Sequence, residues 1–128
     1  MTSEGRPVSQ APEAGRAGER LARAAREYIE AHCAEKFSLP AIASNLYVNG
    51  SYLMRTFKAR TGHTLLWYHN HMRVERAKAL LEDTSRSISE AGEEVGFVSS
   101  SHFSHIFKKM TGITPTEYRR RVCCGEER

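Results

Sequence analysis

The 128-residue sequence has few cysteines and no long apolar run. No stretch approaches the roughly 20 apolar residues that a membrane-spanning helix requires, and the N-terminus lacks the apolar core of a signal peptide. Cys33, Cys123 and Cys124 are an odd number of cysteines without C-x-x-C spacing, which argues against a disulfide framework or a zinc site. We therefore expect a cytoplasmic protein with reduced thiols and with no metal, cofactor or membrane partner.

No segment shows the pattern of a β-strand, whereas one long segment contains neither glycine nor proline. That segment, 64–81, reads TLLWYHNHMRVERAKALL and places its apolar residues mostly at i, i+3 and i+4 spacing. Such a helix would span roughly 25–30 Å, which approaches the ~34 Å of one turn of B-DNA. The pattern predicts a connecting helix at the centre of the chain.

One motif occurs on both sides of this predicted helix. Its two copies are Phe57-Lys58-x-x-Thr61-Gly62-x-Thr64-x-x-x-Tyr68 and Phe107-Lys108-x-x-Thr111-Gly112-x-Thr114-x-x-x-Tyr118. All six identities share an offset of 50 residues, whereas Ser38 and Ser87 upstream are 49 residues apart. A repeat of this length indicates two copies of one supersecondary unit, and the second unit has a turn one residue longer.

Capping residues predict a short helix, a turn and a second helix in each copy. In the first copy Ser38 precedes the first helix, and Asn49 and Gly62 bound the second. In the second copy Ser87-Ile88-Ser89-Glu90 is a capping box, and Ser99 and Gly112 bound the next helix. Thr114-Pro115-Thr116-Glu117 is a second capping box that opens a last helix. Each copy therefore predicts a helix-turn-helix.

Charge is distributed unevenly along the chain, although the net charge is only +4. In 51–80 six basic residues accompany one glutamate, in 81–97 five acidic residues accompany one arginine, and in 98–121 five basic residues accompany one glutamate. The two basic segments fall at matching places in the repeat. A partner with phosphates along its length, such as duplex DNA, would explain this distribution.

In a helix-turn-helix the second helix lies in the major groove and its N-terminal half reaches base edges. The predicted base-reading residues are Ser51, Met54 and Arg55 in the first copy and Ser100, Ser101, Ser104 and His105 in the second. The predicted phosphate contacts are Asn49, Lys58, Ser99, Lys108, Lys109 and Arg119. Arg55 suits guanine, Met54 suits a thymine methyl, and the short serines predict weaker readout by the second copy.

The segment 20–121 resembles the DNA-binding domain of AraC/XylS-type transcription regulators. The residues that carry the resemblance most densely are Glu94-Val95-Gly96-Phe97, Phe103-Ser104-His105-Ile106-Phe107-Lys108-Lys109 and Gly112-Ile113-Thr114-Pro115-Thr116-Glu117-Tyr118-Arg119. The resemblance implies an all-α fold of about seven helices. Two helix-turn-helix subdomains are joined by a long central helix, and their recognition helices enter successive major grooves of promoter DNA. It also implies a bacterial transcription activator that works with RNA polymerase.

The predicted domain boundaries follow from this resemblance. Residues 1–17 would be a disordered tail or linker remnant, 18–122 the DNA-binding domain, and 123–128 a C-terminal tail. Within the domain the first unit is 18–62, the linker helix 64–82 and the second unit 87–121. This domain is expected to be monomeric, and the full-length protein is expected to dimerise through a domain absent here. The chain is then expected to be either a fragment that begins in the linker or a stand-alone short member of the family.

One departure from the family's pattern concerns packing. Ala91 and Gly92 stand where such proteins usually carry a larger aliphatic residue and an alanine. Their helix is therefore expected to pack less well, and Gly92→Ala is expected to stabilise it by up to ~1 kcal/mol if a methyl group fits.

Two alternatives to DNA binding are an enzyme and a protein-binding adaptor. An enzyme would depend on His63, His69 and His71, but residues two apart on a helix point to different sides, so His69 and His71 cannot share a metal. We therefore expect no enzyme. The other alternative is a helical protein-protein interaction adaptor that has lost DNA binding and binds a protein, for example through Trp67.

Overall fold

The computed structural model describes residues 15–123, which form seven α-helices and contain no strand. The helices are α1 (Arg16–His32), α2 (Leu39–Asn45), α3 (Gly50–Thr61), α4 (Leu65–Leu81), α5 (Ile88–Glu94), α6 (Ser100–Thr111) and α7 (Pro115–Cys123). The all-α prediction is confirmed. Residues 1–14 and 124–128, including most of both predicted tails and Cys124, lie outside the described residues. No helix in 15–123 is both long and apolar enough to cross a membrane.

The helices form two compact units. Within the described residues, unit 1 comprises 15–31 and 37–68, and unit 2 comprises 32–36 and 69–123. Helix α4 therefore contributes its first turn to unit 1 and the rest of its length to unit 2. In unit 1 the ring of Phe57 meets Tyr68 edge-on at 6.0 Å, and in unit 2 Phe107 meets Tyr118 edge-on at 5.7 Å.

The predicted caps are present in both units. Ser38 and Asn49 cap α2 and α3, and Ser87 and Ser99 cap α5 and α6. Ser87 and Glu90 form the expected capping box, and so do Thr114 and Glu117. Gly62 and Gly112 end α3 and α6 in the left-handed conformation. Local sequence signals therefore set most helix boundaries.

The turn between the two helices of each helix-turn-helix needs a residue with positive φ. Unit 2 supplies Gly96 (φ 109°), whereas unit 1 supplies Tyr47 (φ 59°), which is 94% exposed. A Cβ on Gly96 would lie 2.5 Å from the carbonyl oxygen of Ala34, so only glycine fits there. The exposed Tyr47 side chain adds no clash with a packed neighbour to the local backbone cost of the left-handed conformation.

Helix α1 begins at Arg16 and ends at His32. Arg73 on α4 binds the chain just after this end. Its Nε donates to the Cys33 carbonyl at 2.6 Å and its Nη2 donates to the Glu35 carbonyl at 2.8 Å. These bonds satisfy two backbone carbonyls in the turn that follows α1.

The core of unit 2 is closely packed around α5, so the expectation of a loose helix is wrong. Ala91 is fully buried, and an added Cβ on Gly92 would lie 2.5 Å from Cδ2 of Phe103. The core consists of Val74, Ala77, Leu81, Ala91, Val95, Phe97, Phe103, Phe107 and Tyr118. The small size of Gly92 on α5 leaves room for the ring of Phe103 on α6.

Thr56 on α3 points a hydroxyl into the core of unit 1. The side chain is fully buried, and its Oγ1 has no hydrogen-bond partner among the described residues. Valine has the same β-branched shape and removes the polar atom. Because an unsatisfied buried hydroxyl costs about 1–3 kcal/mol, we expect Thr56→Val to raise the free energy of unfolding by about 1 kcal/mol in urea denaturation.

Thr61 provides the matched control for this prediction. Its hydroxyl donates to the Phe57 carbonyl at 2.8 Å and accepts from the His63 N–H at 3.1 Å. Thr61→Val should therefore lower the stability. If Thr56→Val also lowers it, the Thr56 hydroxyl contributes a favourable interaction and the prediction is wrong.

Candidate nucleic-acid interface

Helix α3 separates a buried face from a polar outer face. Leu53, Thr56 and Phe57 are buried. The four residues on the outer face, Ser51, Met54, Arg55 and Lys58, are all exposed. The structure therefore brings the predicted base-reading residues of unit 1 together on one surface, with Lys58 one turn beyond them.

Helix α6 repeats this arrangement in unit 2. Phe103 and Phe107 are fully buried. The outer residues Ser100, Ser101, His105, Lys108 and Lys109 are exposed, and Ser104 is partly buried. This surface has two adjacent lysines and small polar side chains, whereas the α3 surface carries an arginine and a methionine.

Asn49, Ser99 and Ser100 are predicted site residues whose side chains make hydrogen bonds within their own unit. The Asn49 side chain accepts from the Tyr52 N–H at 2.8 Å, and the Ser99 hydroxyl accepts from the His102 N–H at 3.0 Å. The Ser100 hydroxyl is hydrogen-bonded to Ser89 on α5. These three side chains fix the start of α3 and the start of α6, and their contacts to DNA stay predictions.

A groove lies beside the outer face of each recognition helix, at the start of the helix that follows. In unit 1 an open groove of about 440 Å³ is lined by Met54, Arg55, Lys58, Ala59, Thr64 and Leu65. In unit 2 a groove of about 360 Å³ is lined by Ser104, His105, Lys108, Lys109 and Thr114. The two linings correspond at the repeat offset of 50, and the unit 1 groove is the more apolar.

The unit 2 groove adjoins the capping box that opens α7. The Thr114 N–H donates to the Glu117 carboxylate at 2.9 Å, and this bond lowers the pKa of that carboxyl below its usual range. Lys108 also contributes to the lower pKa. Glu117 is thus held as an anion in the cap, and the lysines keep this part of the surface basic.

Arg119, predicted as a phosphate contact, has a structural role that the sequence did not predict. It is partly buried, and its Nε donates to the Leu81 carbonyl at 2.8 Å. Its Nη2 donates to the Asp83 carbonyl at 3.1 Å. The guanidinium therefore binds carbonyls at and just after the C-terminus of α4, as Arg73 binds carbonyls just after that of α1. The contact of Arg119 to phosphate stays a prediction.

The three histidines weighed as an enzymatic site lie in different environments. His63 stacks on Trp67 with ring centroids 3.6 Å apart, whereas His69 is only 4% exposed. Burial, together with the nearby Arg73 guanidinium, lowers the pKa of His69 to about 4. His71 is partly buried. Within residues 15–123, no three His, Cys, Asp or Glu side chains converge as a metal site would require.

The part of the chain that contains the repeat is similar to known proteins. A model of a helix-turn-helix domain matches residues 42–121, which is more than half of the chain. A structure from Chromobacterium violaceum, of a transcriptional regulator described as having an AraC-type DNA-binding domain, superposes with a TM-score of 0.76. It is 34% identical and covers 83% of this chain and 96% of that chain. The chain belongs to the AraC/XylS family.

Two curated relatives in the AraC/XylS family are longer than this chain. The arabinose operon regulatory protein of Escherichia coli K12 is 35% identical over 98 residues, which are 76% of this chain and 34% of that protein. The bifunctional transcriptional activator/DNA repair enzyme AdaA of Bacillus subtilis 168 is 35% identical over 94 residues, which are 73% of this chain and 44% of AdaA. The chain spans about a third of the length of the first curated relatives it matches.

The described helices form an AraC-type DNA-binding domain, and part of its surface was not predicted from the sequence. The predicted site residues did not include Ala59, Thr64, Leu65 or Thr114, which line the two grooves. A signal was present for the threonines, because Thr64 and Thr114 form one of the six identities of the repeat. The grooves themselves depend on how the end of one helix meets the start of the next.

Proposed function

We propose that this AraC-type domain binds promoter DNA as a monomer and places α3 and α6 in successive major grooves on one face of the duplex. The observation that carries the proposal is the matched pair of helices. Both have 12 residues, both are capped by a side chain at the N-terminus, and both carry an exposed lysine at the same place, Lys58 and Lys108. Tandem units within one chain do the work that dimerisation does in proteins with a single unit.

The outer faces divide into base-reading and phosphate-binding residues. We assign base reading to Ser51, Met54, Arg55, Ser100, Ser101, Ser104 and His105. We assign phosphate contacts to Asn49, Lys58, Ser99, Lys108, Lys109 and Arg119. The assignment is supported by the exposure of all these residues except the partly buried Ser104 and Arg119, and by the preference of arginine for guanine edges and of lysine for phosphate.

The proposal extends to regulation. AdaA is described as a transcriptional activator, and we propose that this protein likewise activates transcription, through RNA polymerase in the bacterial cytoplasm. Residues 18–122 would be its DNA-binding domain, and a longer form of the protein would dimerise through a separate domain. An in vitro transcription assay tests activation, because an activator increases transcripts from a template that carries its site.

The binding mode predicts a specific footprint. We expect a DNA duplex selected from a random pool to be protected over about 15–20 bp, with two protected major grooves on one face. Sedimentation of the complex should give one protein chain per duplex. Protection of only one groove, or two chains per site, would contradict the proposed mode.

Salt dependence separates DNA binding from the adaptor alternative. Neutralisation of one phosphate contributes about −0.9 to the slope of log K against log salt. The exposed Lys58, Lys108 and Lys109 alone therefore predict a slope of about −3 or steeper. An adaptor that binds proteins would show no measurable affinity for duplex DNA at any salt concentration, and that result would overturn the proposal.

A further inference from the structure

Met54 is unusual among the side chains on the outer face of α3. It is 50% exposed, and it is one of four large hydrophobic residues that are exposed in the described part of the chain. Its neighbours on this face, Arg55 and Lys58, are basic, so a polyanion would be drawn to the same surface. An apolar side chain among cations indicates a ligand that combines negative charge with an apolar group.

The groove beside Met54 is built to accept an apolar group. Ala59 and Leu65 line it together with Met54, and Leu65 is only 3% exposed, so its side chain forms part of the floor. In unit 2 the corresponding groove has Ser104 in place of Met54 and Lys109 in place of Ala59. The apolar character therefore belongs to unit 1 and is not a general property of the repeat.

We propose, building on the DNA-binding function above, that Met54 and its groove recognise the C5-methyl group of thymine. This methyl is the apolar group that unmodified base pairs present in the major groove. The unbranched, flexible methionine side chain adapts to such a contact. Because Arg55 is adjacent on the same face, the thymine should lie within one or two base pairs of the guanine that Arg55 reads.

Deoxyuridine provides a direct test, because it differs from thymidine only by lacking that methyl group. In the preferred duplex found by selection, each thymine is replaced singly by deoxyuridine and affinity is measured by fluorescence anisotropy. We expect one or two replacements to weaken the wild-type protein about 3- to 5-fold, as burial of one methyl-sized group implies. For Met54→Ala, the same replacements should change affinity less than about 1.5-fold.

Leu66→Ala is the matched control, because Leu66 is also 50% exposed and does not line the groove. It should keep the wild-type ratio of thymine to deoxyuridine affinities. The thymine proposal is overturned if the preferred duplex has no thymine at which deoxyuridine matters, or if Met54→Ala keeps the wild-type ratio. In either case a persisting footprint and salt slope leave the DNA-binding proposal intact. Absence of any duplex binding would overturn both proposals.

Discussion

Gly92→Ala is expected to destabilise unit 2 by about 2 kcal/mol, although the sequence alone predicted a gain. The new Cβ would lie 2.5 Å from Cδ2 and 2.6 Å from Cγ of Phe103. This ring is fully buried, and it packs against Phe97 at 5.3 Å and Phe107 at 5.7 Å between centroids. Any shift of the ring would disturb these two ring contacts. The strain therefore exceeds the ~1 kcal/mol that alanine gains over glycine in a helix.

The equivalent two positions of unit 1 hold a larger residue on the first helix and a smaller one on the second. Ala43 stands 49 residues before Gly92, and Leu53 stands 50 residues before Phe103. A hydrogen bond in the turn shows that Ala43 and Gly92 are equivalent positions. The N–H of Val48 donates to the Ala43 carbonyl at 3.0 Å, and the N–H of Phe97 donates to the Gly92 carbonyl at 3.0 Å. A methyl group is paired with leucine in unit 1, and a glycine is paired with phenylalanine in unit 2.

A double-mutant cycle tests this exchange. We expect Gly92→Ala combined with Phe103→Leu to cost less than the sum of the two single changes, with a coupling free energy of at least ~1 kcal/mol. Urea unfolding followed by far-UV circular dichroism measures each free energy. A rise in the denaturation midpoint for Gly92→Ala alone would show that the ring can move and that the clash is relieved.

The second large effect is expected in DNA recognition, where the two units should divide the work. Arg55→Ala should cost roughly 1–3 kcal/mol on the preferred duplex and relax selectivity at one or two base pairs, because it removes a bidentate donor to guanine. Lys108→Ala should weaken all sequences alike and reduce the magnitude of the salt slope by about 1. Unit 1 would thus read sequence, and unit 2 would mainly hold phosphate.

Selection from random DNA and anisotropy titrations at several salt concentrations distinguish these outcomes. Lys36→Ala removes an equal charge from an exposed residue outside the proposed interface, so it should leave selectivity and salt slope nearly unchanged. The division of work is wrong if His105→Ala relaxes selectivity more than Arg55→Ala does. It is also wrong if the strongest base preferences fall in the half of the site that unit 2 contacts.

The sequence alone was sufficient to predict the features that depend on residues close together in the chain. The repeat offset predicted two equivalent units, and the step from 49 to 50 correctly located the longer turn of unit 2. Asn49, Ser99 and the capping boxes marked the helix starts because a cap bonds a backbone group only two or three residues away. The outer faces of α3 and α6 followed from helical periodicity once Phe57 and Phe107 were placed inside.

Contacts between distant residues were decided by the tertiary structure. Arg73 binds the turn after α1 and Arg119 binds the end of α4, through hydrogen bonds to carbonyls 36 to 40 residues away. Neither arginine differs in sequence pattern from a surface arginine. The unfavourable effect expected of alanine at position 92 likewise depends on Phe103, which lies on another helix. Local hydrogen bonding and periodicity are encoded within a few residues, whereas the space left for a methyl group exists only after the helices have packed.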